Sequence, residues 1–297
     1  MKATITQYLQ HLCGKEQVHM DEPLSRWTTF RVGGPADWLV TVPTKTALVR
    51  MLSALTYLEQ PYFILGRGAN VLASDTGYRG VVLHPTFHEI YHNDQFVYAD
   101  AGATLGAVVN YAAEHGLAGL AWATGIPGSI GGAVYMNAGA FGGCVADVVV
   151  LVDVWDGTKV RTLTAAELQF GYRTSVLQHQ AWVVLGAYFK LEPGDPTAIR
   201  AEMQQIAVKR ARHPQQPSAG STFRRPHDGF YVGREIEQAG LAGYQIGGAQ
   251  VSPEHCGFIV NTGSATAADI RQLIDHIRAV IKERTGVELT LEIVFLE

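Results

Sequence analysis

Apolar residues recur at helical spacing in four stretches of the chain, each with its own start or stop chemistry. Leu48, Met51, Leu52, Leu55 and Leu58 follow a Pro43-Thr44 entry, the spacing of one buried helix face. Thr104 is placed to cap a helix carrying Leu105, Val108, Val109 and Ala112, which Gly116 closes. Asp195-Pro196 opens a third, with proline in its first turn, ahead of Ile199, Met203 and Ile206. Thr266 with Asp269 three residues on is a capping-box pattern before Ile270, Leu273, Ile274, Ile277 and Ile281, and Gly286 ends that run. Between them lie short apolar runs that predict strands: DWLVTV (37–42), YFILG (62–66), QFVYADAG (95–102), VVVLVDVW (148–155), WVVLGAYFKL (182–191) and LTLEIVFLE (289–297). The first pair flanks the first helix as a β-α-β unit. Strands and helices do not alternate strictly thereafter, so the pattern predicts an α+β fold rather than a doubly wound sheet.

Composition narrows the class. At 297 residues the chain is long enough for two or three domains. Charged residues make up 17%, against roughly 25% in an average chain, which argues against disorder. A net charge of −4 and a pI near 6.3 argue against a general nucleic-acid binder. No apolar run reaches membrane-spanning length, and the N-terminal stretch lacks a signal-peptide core. Cys13, Cys144 and Cys256 are widely spaced with no CxxC pair, which predicts reduced thiols and no metal site in a cytoplasmic protein. The loop at 213–226, with three prolines and small residues, marks a domain junction. The expected segments are 1–80, with strand 288–297 returning to its core, then 81–195 and 196–287.

The richest candidate for chemistry is GIPGSIGGAVYMNAGAFGG (125–143), where seven of nineteen residues are glycine and none is lysine. It is therefore not a Walker-type loop. Two alternatives stand: a dinucleotide held by backbone N–H groups, or helices packed tightly with no ligand. GRGANV (66–71) follows an apolar strand, as a phosphate-binding turn does, but Val71 occupies the third glycine of GxGxxG; a plain β-turn fits as well. From Arg200 to Arg234 seven basic residues oppose Glu202 and Asp228, a local charge of +5 that suits a phosphorylated ligand. Within it Arg200 and Arg210 are expected on a solvated helix face. Glu292 is expected mid-strand in LTLEIVFL, either buried and kept protonated as a general acid, or facing water on an edge strand. Arg173 in FGYRTS suits two-point binding of a carboxylate or a structural ion pair. Ser221 has no His-Asp relay near it in sequence, leaving a proton-donating hydroxyl open.

In this order the motifs resemble one family, the UDP-N-acetylenolpyruvoylglucosamine reductases of peptidoglycan synthesis. The resemblance runs through TTFRVGGPAD (28–37), LGRGANVLASD (65–75), the glycine segment, FGYRTS (170–175), PSAGSTFRRP (217–226), IEQAGLAG (236–243), GAQVSPEHCGFIVN (248–261) and VELTLEIVFL (287–296). It covers nearly the whole chain. The short spacing between Arg173 and Val183, with no tyrosine-bearing loop after it, resembles the family's shorter, second type. The resemblance implies a flavin-binding fold of the vanillyl-alcohol-oxidase type in two subdomains plus a C-terminal α+β substrate domain. It implies FAD as cofactor, NADPH as hydride donor and a UDP-sugar as substrate. The charge balance and the lack of a spanning apolar run predict no nucleic-acid or membrane partner; the sequence does not fix the oligomeric state, and a monomer is the expectation. Carried onto this sequence, FAD would be held by Leu65, Gly66, Arg67, Gly68, Ala69, Asn70 and Val71, and by Gly125, Ile126, Pro127, Gly128, Ser129 and Gly132. Arg173, Ser221 and Glu292 fall on the catalytic positions, and Asn137, Lys209 and Arg225 on substrate-binding ones. Two departures matter. FRRP stands where longer relatives carry asparagine before the proline, which gives Arg225 a phosphate contact, and LTLEIV leaves Glu292 the only acid at its position. The rival readings are another FAD oxidoreductase of the same fold, or a flavin- or nucleotide-binding sensor without catalysis.

Overall fold

Helices form where capping chemistry and apolar periodicity coincide. The computed structural model describes residues 2–297, and its contacts divide the chain into two units. The first holds the stretch through Met20, Trp38–Arg67 and Gly80–Arg210; the second holds Asp21–Asp37, Gly68–Arg79 and Ala211–Glu297.

In the first unit, α1 spans Lys2–Cys13 and α2 spans Lys45–Tyr57, the latter capped by Thr44, whose hydroxyl accepts from Ala47 N–H. Leu48, Met51, Leu52 and Leu55 of α2 belong to a core with Val40, Val42, Val81 and Leu83. Strands Tyr62–Ile64 and Tyr78–Pro85 pair in parallel, Tyr62 opposite Val81, and Pro35–Val42 lies on the far side of Tyr78–Pro85. The β-α-β unit is thus present, with a later strand inserted between its two strands. A second, antiparallel sheet runs Val160–Thr164, Val149–Trp155, Val183–Lys190, Phe96–Asp100, Ile90–Asn93. Two helices follow its strand Phe96–Asp100 in sequence: α3 (Leu105–Glu114), capped by Thr104, and the short α4 (Ile130–Tyr135), capped by Ser129. Helix α5 (Pro196–Arg210) completes the unit, its Met203 packed on the same core.

The second unit is built on α6 (Val232–Gln238) and α7 (Ala267–Thr285), with a four-stranded antiparallel sheet ordered Ser218–Ser221, Phe258–Asn261, Ala249–Val251, Gln245–Ile246. The Thr266–Asp269 capping box forms, and Gly286 ends α7 in the left-handed conformation. The buried face of α7 joins Phe30, Val32, Leu72, Leu289 and Ile293 in one core. No described helix is long and apolar enough to cross a membrane.

Three expectations change. Helix α5 belongs to the first unit rather than opening a third segment at 196, and 21–37 and 68–79 join the C-terminal unit. The loop 213–226 contains a strand, because Ser218 and Ser221 pair with Val260 and Phe258. LTLEIVFLE is not one strand: only Val294–Leu296 is extended, parallel to Val71–Ala73, while Leu291 makes an isolated bridge to Phe223. The segment changes partners at Glu292 and Ile293, and the change breaks the ladder there.

Candidate functional site

Three of the cofactor candidates of the first unit, Gly66, Arg67 and Ser129, line one hollow. It has a volume of about 290 Å³ and is lined by Gly66, Arg67, His84, Gly102, Ala103, Thr104 and Ser129 among others. Leu65 is fixed beneath it, its N–H on the Leu83 carbonyl and its own carbonyl on His84 Nδ1 at 2.8 Å. That bond puts the proton of neutral His84 on Nδ1. Burial, followed by the charge of Arg67, moves the His84 pKa down from its ordinary 6.5, and the two backbone hydrogen bonds oppose this only in part. The wall therefore carries one exposed cation, Arg67, and one imidazole held toward its uncharged form. A Cβ on Gly66 would lie 2.3 Å from Ser129 Oγ, so the turn closes against Ser129 only with glycine there.

The glycine segment resolves partly toward packing. Ile130 N–H bonds Ala103 O and Gly131 N–H bonds Ala101 O, both at 2.9 Å, while Ser129 Oγ accepts from Gly132 N–H. The first N–H groups of α4 are committed within the protein and do not form an anion nest. A Cβ on Gly131 would press on Ala101 at 3.2 Å, the signature of close packing. Gly125 takes φ +77, Ile126 N–H bonds Ala123 O, Pro127 is exposed and Gly128 O receives Leu105 N–H.

Arg210 is not on a solvated face. Its Nε donates to Thr124 O at 2.8 Å, its guanidinium lies 5.1 Å from the Phe141 ring centroid, and a Cβ on Gly125 would meet its Cδ at 2.7 Å. Its charge suggested a solvated face, but Arg210 lies four residues after Ile206 and seven after Met203, on the inward stripe of α5, and the end of that helix meets the glycine segment. Arg200 and Lys209 are exposed. Beside Arg210, three buried polar atoms (Trp122 Nε1, Thr124 Oγ1 and Arg210 Nη2) lack a hydrogen-bond partner among the described residues. Such orphans mark a place where a further acceptor-bearing group belongs. With the hollow and its glycine-bounded turn, they fit a bound dinucleotide.

Arg173 also stands in the first unit, at the tip of a tight turn in which Gly171 and Thr174 exchange backbone hydrogen bonds. Its φ of +56 is left-handed, and its Nη2 donates to Gly139 O at 2.7 Å. Asn137 serves the same turn: its Nδ2 donates to Gly171 O and its Oδ1 accepts from Ala146 N–H, both at 2.9 Å. Both ends of that amide are engaged by main chain.

In the second unit, Gly68 takes φ +63, and a Cβ there would sit 2.1 Å from Trp27 O. Ala69 follows half-buried, and Val71 begins the strand that pairs with Val294. Asn70 Nδ2 donates to Glu292 O and Asn70 O accepts from Val294 N–H, each at 2.9 Å. Glu292 N–H in turn donates to Thr222 O at 2.9 Å. One contact thus fastens Glu292 to the residue after Ser221, and another fastens it to the predicted cofactor turn. Ser221 is half-buried opposite Phe258, with Phe258, His213 and His255 forming an aromatic cluster. Arg225 is exposed, its guanidinium 5.0 Å from the Tyr231 ring centroid.

The sheet arrangement and hollow define a class, the FAD-binding fold of the vanillyl-alcohol-oxidase type. An FAD-binding domain model matches residues 36–163. A grass pollen allergen with glucose dehydrogenase activity, Phl p 4, shares the fold at TM-score 0.52 over 65% of this chain and 44% of its own, at 13% identity. Within that class the chain belongs to the UDP-N-acetylenolpyruvoylglucosamine reductase family, whose C-terminal domain model matches residues 212–296. The reductase of Caldanaerobacter subterraneus subsp. tengcongensis is 42% identical over 99% of this chain and 98% of its own. That of Geobacillus thermodenitrificans is 43% identical over 98% and 97%. The crystal structure of the Thermus caldophilus reductase superposes at TM-score 0.81 and 35% identity, over 93% of this chain and 98% of its own. The chain is an FAD-dependent oxidoreductase of peptidoglycan precursor synthesis.

Proposed function

We propose that Arg173, Ser221 and Glu292 carry the reduction of UDP-N-acetylglucosamine enolpyruvate to UDP-N-acetylmuramate, with NADPH as the ultimate hydride donor. The observation that supports this best is the pair of hydrogen bonds linking Asn70 of the cofactor turn to Glu292, and Glu292 to the residue beside Ser221. Bound FAD would be held by Gly66, Arg67 and Ser129 among others, and would supply the hydride chemistry that links NADPH to the methylene carbon of the enolpyruvyl ether. Negative charge then builds on the substrate carboxylate, and the permanently charged Arg173 binds it in two-point fashion. The Glu292 carboxyl shares that stabilisation. Ser221 gives its proton to the carbon next to the carboxylate; a hydroxyl is a weak acid, so it reacts only with a strongly basic carbon. Hydride and proton together saturate the double bond. Lys209 and Arg225 bind the diphosphate, and Asn137 acts by holding the turn of Arg173. Gly66, Arg67, Thr104 and Ser129 line the part of the first unit that takes the dinucleotide. The reaction belongs to the cytoplasm, in a monomeric chain serving wall growth, cell shape and division.

Anaerobic spectra test this in one cuvette. NADPH should bleach the flavin band and the enolpyruvyl sugar should restore it. Ser221→Ala should bleach normally and recover at least 10²-fold more slowly. Normal recovery would end the proton-donor assignment. Bleaching without recovery in the wild type would leave a flavin reductase with a different acceptor.

A further inference from the structure

One amide holds the turn that carries Arg173 to the end of α4. Gln178 Nε2 donates to the carbonyl of Arg173 and to that of Tyr135, both at 3.0 Å. An amide NH₂ has two N–H donors, and here each has an acceptor. Tyr135 is the last residue of α4, whose final carbonyls have no partner within the helix. Ser175, 1% exposed, donates its hydroxyl to the same carbonyl at 2.8 Å. The peptide that Gln178 grips belongs to a residue with φ +56. A side chain other than glycine keeps that conformation only where its surroundings impose it. Arg173 Nη2 reaches Gly139 O, a few residues beyond α4, so the guanidinium and its own backbone are anchored to neighbouring points of one segment.

We propose that Gln178 is a positioning residue for catalysis: by bridging the Tyr135 and Arg173 carbonyls it fixes the left-handed backbone of Arg173 and so the direction of its guanidinium. The proposal rests on the catalytic role given to Arg173 above. Its chemistry demands a double donor at this point. Glutamate has the same shape, but its carboxylate faces both carbonyls with negative oxygen, turning two attractions into two repulsions.

Gln178→Glu and Gln178→Ala, in the FAD-loaded enzyme, are tested by the two half-reactions. Flavin bleaching by NADPH should keep its wild-type rate, while reoxidation by the enolpyruvyl sugar slows about 10- to 100-fold, the scale of an ångström-level misplacement. In Gln178→Glu the reoxidation rate should rise toward acid pH relative to wild type, as the introduced carboxyl gains a proton and becomes a donor. A merely structural role would lower thermal stability and affect both half-reactions without that pH recovery. If Gln178→Glu does not fold, Gln178→Ala carries the test, because Ser175 still holds the Tyr135 carbonyl. Wild-type reoxidation in Gln178→Ala, or equal slowing of both half-reactions, overturns the proposal. Arg173→Lys separates the two levels. Wild-type reoxidation there removes the role of Arg173 itself; slowed reoxidation there beside normal Gln178 variants removes only the positioning role.

Discussion

At the scale of single residues, His84 shows how burial and one hydrogen bond set a protonation state. Its Nδ1 proton is committed to Leu65 O, and burial moves its pKa below 6.5. Because the folded pKa is the lower, the unfolded chain takes up the proton first as pH falls. The His84 contribution is therefore whole above pH 6.5 and is lost as pH drops through 6.5 toward the folded value. Melting temperatures measured from pH 8 to pH 5 should fall on the acid side, and more steeply for wild type than for His84→Gln. Parallel curves would mean that His84 carries no such penalty. His84, Arg210 and Gln178 were not identifiable as parts of the site from the sequence. Arg210 acts on Thr124 across 86 positions and Gln178 on Tyr135 across 43, and no local pattern encodes such pairings. Arg173, Ser221 and Glu292 stood out as catalytic candidates only as members of an ordered motif set; taken singly, Arg173 and Glu292 each had a structural alternative and Ser221 had no relay beside it in sequence.

Secondary-structure elements were read best where their determinants are local. Thr44, Thr104 and the Thr266–Asp269 box all cap as expected, because a cap depends on residues within one turn. Helix α7 adds a cap that its own sequence does not contain. The Asp75 carboxylate accepts Ala267 N–H at 2.7 Å and Ala268 N–H at 2.9 Å, from 192 and 193 positions away. Asp75→Ala should cost about 1–2 kcal/mol, the upper part of the range for a lost cap. Asp75→Asn, which keeps one accepting oxygen, should cost about half as much on the same basis. Chemical denaturation of the holoprotein checks both, and an unchanged midpoint for Asp75→Ala would mean that the Thr266 box caps α7 unaided. The terminal segment was misread for a related reason. Its alternation resembles a strand throughout, but Leu291 is paired with Phe223 and Val294 with Val71. A change of partner leaves no mark in hydrophobic pattern.

For the whole molecule, connectivity decides what can fold alone. The family model for the C-terminal domain covers residues 212–296, yet the second unit also takes 21–37 and 68–79 from far upstream. Those segments supply Phe30, Val32 and Leu72 to its core, all at most 3% exposed. They supply the strand Val71–Ala73, the sole partner of Val294–Leu296 among the described strands, and the Asp75 cap of α7. They also hold the end of strand Phe258–Asn261 through Asn261 Nδ2, which donates to Phe30 O, and they hold strand Ser218–Ser221 through Thr29 Oγ1, which donates to Ser218 O. Burying one phenylalanine, one valine and one leucine stabilises by roughly 1.5–3 kcal/mol each, which together equals the whole stability of many small domains. A fragment of residues 211–297 should therefore lack a cooperative thermal transition and near-ultraviolet dichroism. Full-length protein with Phe30→Ala should stay folded but lose about 3–5 kcal/mol. A cooperative melt from the isolated fragment would show that the α7 sheet and core suffice, and that the upstream segments only decorate a unit already formed.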